Sequence, residues 1–379
     1  MTVVRFLHTA DWQLGMTRHF LSEEAQGRFS QARIDAITSM AAVAAERDTA
    51  FVVVAGDVFE TNQPDRTTLG RALDALSSFA VPVYLLPGNH DPDDPGSVYR
   101  QRAFVERCPD HVIVLREGEA HHPVPDVEVV GAPWSSKHPV TDLLAEACAS
   151  LEPDDAIRVL VGHGGADVVS GDFGAPGTFR LADIEPAVRD GRVSYLALGD
   201  RHSTTQVGQT GRIWYSGAPE PTAYPEEDPG NVLFVDLATD PPAVERIPVG
   251  TWHFHLVARS VDGDDDLDRL LADLDAIPDR SRAIVKVKVD GVLTLGQAAR
   301  LERELEDRAE VVGALEFPER HRDIQVAPDA ADIAELPLTG YAAIARDRLL
   351  ERSASDRDDA QAATDALGLL VRLSEGSAS

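Results

Sequence analysis

The chain has 379 residues, enough for two or three domains, and its 43% hydrophobic and 26% charged content is that of a folded globular protein rather than a disordered or collagen-like one. No apolar run reaches the roughly 18 residues needed to cross a bilayer. Two cysteines, Cys108 and Cys148, exclude a disulfide framework or a Cys-rich zinc site, and the formal net charge of −29 opposes binding to a phosphate backbone unless a local basic face or divalent cations offset it.

In chain order, Val3–Leu7 reads as a buried strand, and the Met1–Phe6 start has neither a basic n-region nor a small-residue cleavage site, so a cytoplasmic protein is expected. Ile34, Ile37, Ala41 and Ala44 keep a helical face, Phe51–Val54 is a strand, Leu69, Leu73, Leu76 and Ala80 form a second helical face, and Val81–Leu86 is a strand. Val127–Val130, Arg158–Val161, Tyr195–Leu198, Arg212–Tyr215 and Val232–Asp236 continue the strand series. This alternation predicts an α/β domain whose sheets are covered by helices. The want of a long helix between the last two runs suggests a mixed sheet, with two sheets stacked face to face as the alternative. Past Pro241-Pro242 the texture changes. Thr251–Val257 and Ile284–Val289 alternate, while Leu267, Leu270, Leu271 and Leu274, then Ala298, Leu301 and Leu305, make helical faces. These predict a second, smaller domain. The tail from about Pro328 is helical in pattern, with apolar stripes at Tyr341, Ile344 and Ala345 and at Leu367, Leu370 and Val371.

The chemistry sits where these strands end. Asp11 and Gln13 follow the first strand, Asp57 follows Gly56, and Asn89, His90 and Asp91 follow Gly88. His163 follows Gly162, and Asp200 and His202 follow Gly199. Strand ends in α/β folds converge on one rim, so five loops can bring these groups together. Mixed carboxylate, amide and imidazole donors suit Mn²⁺, Fe²⁺ or Zn²⁺ better than Ca²⁺, and a pair of cations sharing a carboxylate is suited to phosphoryl chemistry. Three further residues are candidates for gripping a substrate phosphate: Arg18 and His19 after the first loop, and Arg201 between two ligand candidates.

The ordered set Asp-x-Gln, Gly-Asp, Gly-Asn-His-Asp, Gly-His-Gly and Gly-Asp-x-His resembles the calcineurin-like metallophosphoesterase superfamily. Within it, His8-Thr9-Ala10-Asp11-Trp12-Gln13-Leu14-Gly15 and Ser216-Gly217-Ala218-Pro219 are similar to the SbcD-like nuclease subunits. The resemblance implies an αββα sandwich over residues 1–245, a smaller α+β capping domain that positions DNA over 250–327, and a helical partner-binding tail over 328–379. It implies two divalent cations, Mn²⁺ above all, with Asp11, Asp57 and His202 on one, Asp57, Asn89 and His163 on the other, and Asp57 bridging. His90 would be the catalytic group, stabilising the transition state or protonating the leaving oxygen. The family usually carries His where Gln13 and Asp200 stand, a change that hardens the ligand set. The implied function is exonuclease action, with endonuclease action as a further option, on DNA ends in double-strand break repair. The implied partners are DNA, an SbcC-like coiled-coil ATPase and a second copy of the chain, in keeping with the missing P-loop motif. The alternatives are a small-molecule phosphoesterase, which the net charge favours, and a non-catalytic scaffold, which Gln13 and Asp200 favour.

Overall fold

The computed structural model describes residues 4–154, 156–169, 176–318, 322–326 and 338–353, with 362–363, 366–367 and 370. Val3 at the predicted start of the first strand, Pro328 and Val371 lie outside the described residues. The chain divides into two compact units, Met1–His253 and Phe254–Ser379. No helix among the described residues is long and apolar enough to cross a membrane.

In chain order the first unit contains β1 (Arg5–Thr9), α1 (Glu23–Glu46), β2 (Phe51–Val54), α2 (Arg66–Leu76), β3 (Val83–Leu85), α3 (Arg102–Val105), β4 (Val112–Val114), β5 (Ala120–His121) and β6 (Val127–Ala132). It continues with α4 (Leu143–Ser150), β7 (Ile157–His163), α5 (Leu181–Arg189), β8 (Tyr195–Gly199), β9 (Thr205–Val207), β10 (Ile213–Tyr215), β11 (Asn231–Asp236) and β12 (Ala243–Pro248). Two six-stranded sheets result, one in the order β12-β11-β1-β2-β3-β4 and the other β5-β6-β7-β8-β10-β9. The strands β1 to β4 are parallel, as are β6, β7, β8 and β10, while β5, β9, β11 and β12 close the edges antiparallel.

Side-chain alternation assigns each strand residue to a layer. Phe51 and Val53 of β2 meet Val159, Val161 and Tyr195 of the opposite sheet, whereas Val52 and Val54 point outward onto Ile37 and Met40 of α1 and Leu69 and Leu73 of α2. On the far side, Leu160, Leu196 and Leu198 pack under Leu144 of α4 and Ile184 and Val188 of α5. A strand buried on both faces must be apolar at every position, which is why Phe51–Val54 shows no polar residue. The layering is helix, sheet, sheet, helix, as the sequence predicts. The helices start on capped ends: the Ser22 side chain accepts from Ala25 N and Asp65 accepts from Thr67 N and Thr68 N.

Two strands are displaced from their predicted places, one of them the alternating run of Thr251–Val257, which stands at His253–Ser260. The sequence pattern puts the first strand at Val3–Leu7, but β1 extends through His8 and Thr9, because its pairing with β2 reaches Thr9↔Val54. The polar His8 is tolerated there because its Nε2–H donates to Leu198 O at 3.1 Å while Nδ1 lies 3.1 Å from the Tyr195 hydroxyl. Burial drives its pKa down to about 3, so the ring is neutral and structural.

The second unit carries β13 (His253–Ser260), α6 (Asp264–Asp275), β14 (Ala283–Leu293), α7 (Leu295–Ala309), β15 (Ala314–Glu316) and β16 (Arg322–Val326), followed by a helix at Tyr341–Ser353. Its core joins Leu267, Leu270 and Leu274 of α6 to Val285 and Val287 of β14 and to Leu301 and Leu305 of α7. The helix at Tyr341–Ser353 buries none of its residues, and Tyr341 and Ile344 are exposed.

Candidate active site

Parallel strands deliver their C-terminal ends to one rim, and five loops meet there. Behind β1 the backbone runs alongside the loop that follows β2: Asp11 N donates to Gly56 O at 3.0 Å, Gln13 N to Asp57 O at 2.9 Å and Leu14 N to Val58 O at 2.9 Å. This holds Asp11, Gln13 and Asp57 at positive φ (54°, 45° and 54°), and Asp200 in the loop after β8 stands at 95°. Side chains with a Cβ rarely adopt this region, and such residues collect at functional sites. Two glycines make the approach of the loops feasible. A Cβ on Gly88 would lie 2.2 Å from Asp57 Oδ1, and one on Gly56 would lie 2.2 Å from His163 Nδ1.

The side chains converge. His163 Nε2 lies 2.7 Å from Asn89 Oδ1, 3.5 Å from Asp57 Oδ1 and 3.8 Å from Asp200 Oδ1. Asp11 accepts from Asp200 N at 3.1 and 3.2 Å, and its Oδ1 is 4.0 Å from His202 Nε2. Gln13 Nε2 sits 3.2 Å from His202 Nε2. His90 donates its backbone N–H to Asp57 Oδ1 at 3.0 Å and its Nδ1–H to Glu60 O at 3.0 Å, which leaves Nε2 on the open side, 3.9 Å from Asp57 Oδ2. Seven predicted ligands and His90 therefore form one contact-linked group. Arg18, His19 and Arg201 do not hydrogen-bond to it: Arg18 donates to Thr222 O at 2.8 Å, the exposed His19 lies edge-on against Phe20, and Arg201 Nε donates to Thr205 Oγ1 at 2.8 Å.

The electrostatics describe a cluster short of positive charge. Burial lifts the Asp11 carboxyl to about 7, with Asp57 and Asp200 repelling it and His202 and His163 pulling the other way. Burial pushes Asp57 up as well, but His163 and His90 hold it below its ordinary value. Burial disfavours charge on His163, yet Asp57, Asp11 and Asp200 carry its pKa well above normal. His202 is likewise raised, against burial, by Glu226 and Asp11. A group of acceptors that draws protons onto buried imidazoles is a group that accepts a cation in their place.

The donor set fits divalent metal. Oxygen or nitrogen atoms of Asp11, Asp57 and His163 lie within 4.8 Å of one another, all three residues buried. The Nδ1–H of His163 donates to Ala55 O at 2.8 Å, which orients the ring with Nε2 facing Asp57 and Asn89, the nitrogen that would trade its proton for an ion. His202 is set the same way: Nδ1 meets Glu226 Oε1 at 3.0 Å and Thr222 Oγ1 at 2.7 Å. Gln13 Oε1 is buried with no hydrogen-bond partner, an acceptor left for an ion.

Several residues in and around the site carry no motif signal. Glu226, in the loop after β10, keeps its side chain 6% exposed, clasps Thr222 through both its N–H and hydroxyl, and orients His202. Its carboxylate run could have been noticed, but nothing local ties it to His202, 24 residues away. We expect Glu226→Gln to weaken metal binding by about 10- to 100-fold, as loss of an outer carboxylate on a ligating His does; calorimetric metal titration reads this directly.

Asp91, placed in the sequence either to orient His90 or to cap the turn, caps the turn and ties loops together. It accepts from Gly88 N at 2.8 Å, Phe59 N at 3.0 Å and the Tyr99 hydroxyl at 2.5 Å. Burial, then repulsion by Asp57, raises it from 3.8 to about 6 despite these donors. A carboxyl whose folded value is raised favours folding most at low pH and loses that contribution as pH climbs from about 4 through about 6. Tyr99→Phe removes a donor to the carboxylate and raises the value further. A loss of about 1.5–3 kcal/mol is expected, larger at neutral than at acid pH, measured by urea unfolding at both.

Comparison with known proteins places this geometry. A model of the calcineurin-like phosphoesterase family matches residues 4–233. The chain is 29% identical over 335 residues to the SbcD subunit of the nuclease SbcCD from Rhodobacter capsulatus, covering 74% of this chain and 78% of that one. It is 26% identical over 276 residues to the DNA double-strand break repair protein Mre11 of Haloferax volcanii, covering 71% of this chain and 57% of that one. To the corresponding SbcCD nuclease subunit of Escherichia coli K12 it is 25% identical over 280 residues, 62% of this chain and 65% of the other. It thus spans less than two thirds of the length of the latter two. The family match covers the strands whose ends build the cluster, and so the chain belongs to the calcineurin-like phosphoesterase family and is a metal-dependent hydrolase of phosphoesters.

Proposed function

We propose that the protein is a DNA nuclease that hydrolyses phosphodiester bonds at DNA ends in double-strand break repair, using two Mn²⁺ ions. The observation that carries this reading is the contact-linked group of Asp11, Gln13, Asp57, Asn89, His163, Asp200 and His202 with His90 at its open side, in a chain similar over most of its length to the SbcD subunit of a nuclease SbcCD. Asp11, Gln13, Asp57 and His202 would hold one ion, and Asp57, Asn89, His163 and Asp200 the other. When bound, the pair supplies Lewis-acid polarisation of the phosphoryl oxygens and activation of the attacking water. The protein does the rest. The Ala55 carbonyl and Glu226 engage Nδ1 of His163 and His202, so that Nε2 of each ring is the nitrogen turned toward the ions, and the His90 backbone N–H steadies Asp57. The His90 side chain, fixed at Nδ1 by Glu60 O, presents Nε2 as the place from which a proton reaches the leaving oxygen. Arg18, His19 and Arg201 would grip the substrate phosphate.

Similarity to subunits of SbcCD supports an SbcC-like coiled-coil ATPase as partner, docked on 328–379, with 250–327 placing DNA, a homodimeric state and a cytoplasmic location. The net charge of −29 favours a second reading, hydrolysis of a small-molecule phosphoester. Incubation with Mn²⁺ and an end-labelled duplex, beside hydrolysis of bis-p-nitrophenyl phosphate, separates the two. Metal-dependent shortening of the duplex supports the nuclease. Turnover of the small ester that excess duplex does not inhibit transfers the reading to the second, and no metal-dependent activity on either removes both.

A further inference from the structure

A cleft of about 310 Å³ opens beside the metal-ligand group, lined by Asn89, His90, Trp134, Lys137, His138 and Pro176. That volume is at the small end of ligand sites and exceeds what one phosphate requires. Asn89 and His90 belong to the reacting group, so the cleft they share with Lys137 offers room for what extends beyond the scissile ester. The loop after β6 that carries Lys137 is clamped to the reacting end on three sides. Trp134 N–H donates to Pro87 O at 3.0 Å, Trp134 O accepts from Asp93 N at 2.8 Å, and the indole N–H donates to His163 O at 2.8 Å. Trp134 is buried, so the loop root is rigid while Lys137 itself is exposed.

In so acidic a chain, a positive charge at this place matters. The chain has three lysines and a net charge of −29, and many of its arginines are paired with carboxylates. At the foot of this very loop, Arg100 and Arg116 both sit on Asp93, at 2.6 and 2.8 Å. Among the described residues Lys137 has no ion pair, and it stands on the mouth of the site. An ammonium on a flexible stem suits a phosphate as a point charge, with the neighbouring His138 as a second donor.

We infer that Lys137 receives the phosphate adjacent to the scissile one, so that the site selects nucleotide chains carrying at least two phosphates over isolated diesters. This rests on the nuclease reading above and names what that reading leaves open. It also offers a local answer to the acidic surface: a cation with no ion pair among the described residues, placed where the second phosphate arrives.

The test uses the full chain with Mn²⁺ and four substrates: bis-p-nitrophenyl phosphate, the dinucleotide TpT, and TpT bearing a second phosphate at its 5′ end (pTpT) or 3′ end (TpTp). The wild type is expected to show a KM about tenfold lower for one two-phosphate substrate than for TpT. Lys137→Ala erases that difference and leaves bis-p-nitrophenyl phosphate turnover unchanged, while Lys137→Arg keeps most of it. With a longer single strand, Lys137→Ala lowers the slope of log affinity against log salt by about 0.7, the loss of one phosphate contact. An unchanged TpT to two-phosphate ratio in Lys137→Ala overturns the assignment, as does an equal loss on every substrate. Intact turnover of bis-p-nitrophenyl phosphate with no cleavage of any nucleotide shows instead that the nuclease reading has failed, and the assignment goes with it.

Discussion

Asp57→Asn is expected to reduce phosphodiester hydrolysis by about 10³-fold or more, the scale on which an indispensable active-site group acts, and to abolish the rise in melting temperature that Mn²⁺ produces in the wild type. Asp57 is 2% exposed, its Oδ1 accepts from His90 N at 3.0 Å and stands 3.5 Å from His163 Nε2, and its Oδ2 is 3.9 Å from His90 Nε2. One of its oxygens lies within 4.8 Å of ligand atoms of both Asp11 and His163, one from each half of the ligand set. Asparagine keeps the shape and the hydrogen bond from His90 but withdraws the charge that two cations would share. Thermal melts with and without Mn²⁺, run beside the activity assay, tell loss of metal from loss of fold. A full Mn²⁺ shift in the variant would show that Asp57 is not the bridge.

His90→Asn is expected to do the opposite with respect to metal. Residue 90 supports the ligand group through its backbone N–H, which survives any side-chain change other than proline. The Mn²⁺-dependent shift in melting temperature therefore persists. Hydrolysis falls by about 10²- to 10⁴-fold, the range for a positioned general acid. The defect is larger for an oligonucleotide, whose leaving alkoxide needs a proton, than for a p-nitrophenyl ester, whose leaving group does not. Equal losses on both substrates would remove the proton-donor role and leave only electrostatic stabilisation.

Much of the first unit is legible in the sequence because its strands obey a local rule. Phe51–Val54 is buried on both faces and apolar throughout, and Asp57, Asn89, His163 and Asp200 stand just past the ends of such runs, beside glycines. The parallel arrangement of those strands then brings the loops together. What local patterns miss is whatever depends on distant contacts. The extension of β1 through His8 is stabilised by Tyr195 and Leu198, almost half the chain away. Glu226 reaches His202 only because the loop after β10 folds back across the rim. Asp91 looks like a partner for its neighbour His90, yet it is claimed by Phe59 and Tyr99, whose positions no periodicity announces. Short or exposed edge strands such as β5, two residues long, and β12, which buries none of its residues, carry too little hydrophobic alternation to be read.

The left-handed backbone at Asp11, Gln13, Asp57 and Asp200 has a practical consequence for anyone improving this protein. Each such residue holds a conformation that glycine would adopt more comfortably, and the stored strain is of order 1–3 kcal/mol per residue in the harder cases. A heat-resistance selection run without an activity screen would find its easiest gains in these loops. It would return a hardier protein with its ligands edited away, so directed evolution of this scaffold needs turnover, not melting point, as its gate.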